Sequence, residues 1–161
     1  MPRISKLKSH KKKINGVLEK NKSIFCSGAR LIACYTKDKI LKDVSMFECT
    51  LLLKPKERGY ESPTIKLYEM WKEDDLMEYT YRFSIPYFNF VCSFSGVCVK
   101  SSNFEFRYER HKNPNHKPKH HLHVLDGVPP RYKIHKMIQL DDFLKIIKRE
   151  FINDDNRIYV K

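Results

Sequence analysis

No stretch of this sequence stays apolar for long. The longest run without a charge, Phe83 to Val99, is broken by Pro86, Asn89, Gly96 and three serines, short of the roughly 20 apolar residues that a membrane-spanning helix needs. A buried strand and turn explains it better. A secretory leader is also missing: Arg3, Lys6, Lys8, Lys11, Lys12 and Lys13 supply positive charge, but no apolar run follows before Ile24, so export is disfavoured. Cysteines are few and odd in number, at 26, 34, 49, 92 and 98, in a chain too large to need staples, as expected of reduced thiols in the cytoplasm. Acidic residues are scarce, with 19 Asp+Glu against 32 Lys+Arg and a formal charge of +13. There is no internal repeat and no low-complexity tract beyond the Lys-rich N-terminus. What is present, 161 residues of which 41% are hydrophobic and 12% aromatic, suffices for one packed domain.

The positive charge is clustered. Met1 to Lys22 holds eight positives against Glu19 alone, and Arg107 to His121 adds Arg107, Arg110, Lys112, Lys117 and Lys119 against Glu109. Such clusters are the footprint expected of a protein that neutralises phosphates and releases their counterions. In the first cluster, Ile4, Leu7, Ile14, Val17 and Leu18 are spaced as a helix with one core-facing stripe and a basic outer face. Lys11, Lys12 and Lys13 stand there as candidate nucleic-acid contacts, or as no more than a solubilising face.

Strand signals rich in β-branched and aromatic residues follow at Ile24–Tyr35, Val44–Leu53, Thr64–Trp71 and Leu76–Ile85. Glu69 interrupts the otherwise apolar face of Ile65, Leu67 and Trp71, while Tyr79, Tyr81 and Phe83 share one side of the next strand. A hairpin is expected over Val97–Tyr108, turning at Lys100 to Asn103, and a short strand over His121–Leu125. Leu140, Phe143, Leu144, Ile147 and Phe151 then recur as a helix, with Asp141 and Asp142 in its first turn and Lys148 and Arg149 in its last. The expected fold is a single α+β domain over residues 23–161, an antiparallel β-sheet with a C-terminal helix and a basic N-terminal helix or arm (residues 1–22) packed on one face.

Five of the seven histidines, at 111, 116, 120, 121 and 123, crowd into one Pro-broken segment. On the strand that ends it, His121 and His123 share one face, with His120 and Leu122 on the other. Imidazoles beside Arg107 and lysines support metal-free phosphodiester cleavage: a neutral His takes the 2′-hydroxyl proton, a protonated His or Lys gives one to the leaving oxygen, and Arg stabilises the phosphorane. They also support metal binding, with His116, His111 or Glu69 completing a set with His121 and His123, although the spacing matches no familiar zinc site. A third reading is binding to phosphate or an acidic partner with no chemistry. Cys92 and Cys98, with five residues between them, read as core thiols rather than ligands.

With Tyr68-Glu69, Tyr79-Thr80-Tyr81, Arg107-Tyr108-Glu109, His120-His121-Leu122-His123 and Leu140-Asp141-Asp142-Phe143-Leu144 in this order, the chain resembles the TumE family of toxins from prokaryotic toxin–antitoxin modules. The likeness spans Thr64 to Ile147, with Glu109 standing where Asp is usual. It implies a small cytoplasmic toxin acting on RNA, partnered by a helix-turn-helix antitoxin, with the motif falling on Arg107, Tyr108, His120, His121 and His123 and with Glu69 and Tyr81 as supports. The preferred reading is a ribonuclease without cofactor or metal. His121 and His123 are its acid/base pair, Arg107 clamps phosphate, and Tyr108 positions phosphate or stacks a base. Arg110, His111, Lys112, His116, Lys117 and Lys119 line the path of the nucleic acid. The alternatives are a non-catalytic nucleic-acid-binding or partner-inhibiting module and a metal-dependent nuclease.

Overall fold

The computed structural model describes residues 5–27, 34–54, 62–85, 89–94, 97–101, 104–110, 119–124, 132–133, 136–152 and 159–160. Its first element is α1 (Lys6–Lys20), capped by the Ser5 side chain, which accepts from the Lys8 amide as an N-cap serine does. Strands follow as β1 (Tyr35–Lys37), β2 (Val44–Leu52), β3 (Thr64–Lys72), β4 (Asp75–Ile85), β5 (Asn89–Phe94), β6 (Val97–Ser101), β7 (Phe104–Arg110), β8 (His120–Val124) and β9 (Tyr132–Lys133). The chain closes with α2 (Leu140–Ile147), a π-helical turn (Lys148–Ile152) and β10 (Tyr159–Val160). Seven strands form one sheet in the order β1-β2-β3-β4-β7-β8-β9, and β10-β5-β6 form a second. All the pairs are antiparallel. The fold is α+β, with the two helices at opposite ends of the chain. Among the described residues no helix is long and apolar enough to cross a membrane.

Strand alternation sorts the large sheet into two chemically different faces. Ile65, Leu67, Tyr79, Tyr81, Phe83, Phe106, Tyr108 and Leu122 share one face by register. They form a single core with Ile14 and Leu18 of α1 and Leu140, Phe143, Leu144 and Ile147 of α2. Phe143 is the hub, its ring lying against Tyr81, Phe106 and Tyr108. Each such fully buried side chain is worth about 1.5–3 kcal/mol in transfer free energy. The tight β3–β4 turn, where Glu73 takes a φ of 50°, also anchors α1: the Asp74 carboxylate accepts from the Leu7 amide at 3.1 Å, where the helix dipole favours negative charge.

Three expectations change. Of the expected Ile24–Tyr35 strand, only Tyr35 lies in a described strand, β1, and residues 28–33 lie outside the described residues. Lys22–Ile24 is a 3-10 turn, and Phe25 makes an isolated bridge to Leu53. The expected Val97–Tyr108 hairpin is divided between the sheets, because β6 pairs with β5 and β7 pairs with β4, which places Phe106 and Tyr108 beside Phe83 and Tyr81 under α2. The final helix keeps its apolar stripe but leaves α geometry after Ile147. The side chains of Cys92 and Cys98 lie outside the described residues.

Candidate functional site

Two buried carboxylates occupy opposite faces of the large sheet. Glu69 projects from β3 into the helix-covered face and is fully buried. It accepts from the Tyr35 hydroxyl at 2.7 Å, from Trp71 Nε1 at 2.9 Å and from the Tyr81 hydroxyl. His10 of α1 places Nε2 3.0 and 2.9 Å from its two oxygens. A carboxylate only accepts, so His10 donates through Nε2. Burial alone would raise the Glu69 pKa; the hydrogen bonds from His10, Tyr81 and Tyr35 outweigh it and hold the group below its usual range. Burial and the Glu69 charge push the Tyr35 and Tyr81 hydroxyls well up. This network is saturated with donors and ties α1 to the sheet.

On the other face, register aligns Tyr68, Thr80, Glu109 and His121 in one row across the strands and Lys66, Arg82, Arg107 and His123 in the next. Glu109, His121 and His123 are all buried. His121 Nε2 lies 2.8 Å and His123 Nε2 2.7 Å from the same oxygen, Oε1 of Glu109, and the two imidazoles meet edge to face, their centroids 4.8 Å apart. The His121 contact is a hydrogen bond. The His123 contact is close but not aligned as one, and neither ring nitrogen of His123 has a hydrogen-bond partner. Burial, with help from Arg107 and His121 and against the pull of Glu109, lowers the His123 pKa and favours neutral imidazole.

Guanidinium groups border this trio. Arg107 sets Nε 3.3 Å from Glu109 Oε2 and Nη1 3.9 Å from Glu105 Oε1, and Arg82 pairs with Glu105. Both arginines keep about a third of their side chains in solvent, at 35% and 38% exposure, so an anion can reach them while the trio stays screened.

The residues singled out by sequence are therefore separated. Arg107, His121 and His123 come together. Glu69 and Tyr81 belong to the opposite face, so Glu109, and not Glu69, stands with the histidine pair. Tyr108 is buried against Phe143 and Phe106 and presents no surface for a base. His120 also lies on the helix-covered face, its Nδ1 3.4 Å from the Tyr79 hydroxyl, and burial lowers its pKa. Burial pushes the Tyr79 hydroxyl up to about 12. Arg110 donates to the Leu76 carbonyl at 2.8 Å on that side. On α1, Lys11 lies over the Tyr35 ring at 4.8 Å, Lys13 donates to Gln139 at 3.0 Å, and Lys12 is exposed, as is Lys119 beside β8. His111, Lys112, His116 and Lys117 lie outside the described residues. Sequence reasoning passed over Glu109, Arg82 and Glu105 as site residues. The signal for Glu109 was its place two residues after Arg107, on a strand that pairs with the histidine strand.

No family model, curated protein or solved structure matches this chain. Function has to come from the chemistry of the two faces.

Proposed function

We propose that this protein is the RNA-directed toxin of a prokaryotic toxin–antitoxin module, acting in the cytoplasm, and that its phosphodiester chemistry is run by Arg107, Glu109, His121 and His123. The observation that carries the reading is the convergence of two imidazoles and a guanidinium on one buried carboxylate, on the face that the helices leave free. Arg107, with Arg82 beside it, is the phosphate clamp, since a planar guanidinium at the rim matches phosphate oxygens and stabilises charge that develops on them. Glu109 fixes the orientation of both rings. Its Oε1 fills the space between the two Nε2 atoms, so His121 and His123 work as one unit from one side of the reacting group rather than as an acid and a base across it. The resemblance in sequence supplies the toxin context and the helix-turn-helix antitoxin as partner.

The test pairs purified protein with total RNA and expression in cells with growth. The parent protein is expected to degrade RNA and arrest growth, whereas Arg107→Ala and His123→Ala lose both while remaining folded. Intact RNA with the parent, or undiminished toxicity in His123→Ala, would discard the catalytic role. A second reading, nucleic-acid binding without chemistry, is favoured by the exposed lysines of α1. It requires that a variant with Lys8 and Lys12 changed to alanine bind RNA more weakly with a shallower salt dependence, while single histidine changes have little effect.

A further inference from the structure

We propose that Glu109, His121 and His123 hold one divalent first-row metal ion, for which Zn²⁺ is the best-suited cation. The three offer one donor atom each within 4.8 Å of one another, and among the described residues they are the one such group. Two imidazoles and one carboxylate make a donor set that Zn²⁺ accepts readily, with a further coordination position left for solvent or a phosphate oxygen.

Hydrogen bonding alone accounts poorly for the arrangement. His123 is 5% exposed, with Nε2 drawn to 2.7 Å from a carboxylate oxygen but misaligned, and both nitrogens lack a hydrogen-bond partner. Leaving a buried polar group unsatisfied is costly, and a cation among the three donors would satisfy the His123 nitrogen that it takes. Charge on this face agrees. Glu105 and Glu109 already balance Arg82 and Arg107, so the arginines need no further counter-charge from this trio. A divalent ion added to that balanced set leaves a net positive centre at the arginine rim, suited to an anionic ligand such as phosphate. The binding site stands on geometry alone; only its use in catalysis rests on the RNA reading above, and there a metal-bound water would serve as the proton acceptor that the two rings cannot provide from opposite sides.

The 161-residue protein, stripped with EDTA and dialysed, is titrated with Zn²⁺ and its metal content measured by mass spectrometry. About one equivalent should be retained, raising the melting temperature through ligand linkage. His123→Ala and Glu109→Gln should bind at least about tenfold more weakly, with unchanged far-UV circular dichroism. Free thiols, among them Cys26, Cys34 and Cys49, are competing ligands. Co²⁺ is therefore titrated in parallel: ligand-field bands without thiolate charge transfer support the site, and dominant thiolate absorption overturns it even if a variant fails to fold. Retention well below one equivalent in the parent, or full retention in a folded His123→Ala, also overturns it. Protein that binds no Zn²⁺ yet cleaves RNA in EDTA sinks the metal and keeps the RNA reading, whereas protein that binds one equivalent and leaves RNA intact does the reverse.

Discussion

Glu69 and Glu109 are both buried acids, each with histidine and other donors close by, and they lie on opposite faces of the same sheet. Glu69 is met by four side chains that donate hydrogen bonds to it. Glu109 is met by Arg107 and by two histidines, of which one is aligned as a hydrogen bond and the other is not. A carboxylate whose donors are fully matched lowers the energy of one conformation and has no unused capacity. Beside Glu109 it is the two His123 ring nitrogens that are left unmatched. The first cluster is read as scaffold and the second as site, although sequence makes Glu69 the more conspicuous of the two.

Removing the scaffold carboxylate should have the largest effect on stability. Glu69→Ala strands the donors of Tyr35, Trp71, Tyr81 and His10 in the core and is expected to cost about 3–5 kcal/mol in urea unfolding; a loss below about 1 kcal/mol would erase the distinction between the faces. Arg107→Ala is expected to leave the urea midpoint nearly unchanged while lowering RNA cleavage roughly 100-fold, and equal losses of stability and cleavage would make this face scaffold too. The third difference is in acid. Because the folded-state pKa of Glu69 is held below its ordinary value of 4.5, its stabilisation is present above that value and is lost as pH falls from there through the lower folded-state value. As pH falls below about 5 the parent should therefore lose stability more steeply than Glu69→Gln. Smallest of all, Lys12→Ala on exposed α1 should shift stability by less than about 0.5 kcal/mol and lower the salt slope of RNA binding by about one unit.

Much of this was legible in the sequence, and for definite reasons. Period-two alternation in Thr64–Trp71 and Leu76–Ile85 located two central strands to within a residue, and the 3.6-residue stripe from Leu140 located α2. The shared face of His121 and His123 followed from the same alternation. Pairing partners were harder to read. Nothing local says that β7 joins β4 while β6 joins β5, since register is settled by which apolar faces the helices cover. Glu69 was linked to the histidines because it is a lone acid in an apolar row, yet its row faces α1, and the donor that explains it, His10, lies 59 positions away. Glu109 read as part of an Arg-Tyr-acid motif, and its role became visible only once β7 was seen beside β8.

The Asp74 contact with the Leu7 amide bears on the order of assembly. Short isolated helices are marginal in water, and α1 takes one of its first-turn acceptors from a turn 67 positions along the chain. Its His10 clasp likewise ends on β3. The β3–β4 hairpin closes locally and needs neither contact, whereas α1 draws part of its stability from the hairpin that receives it.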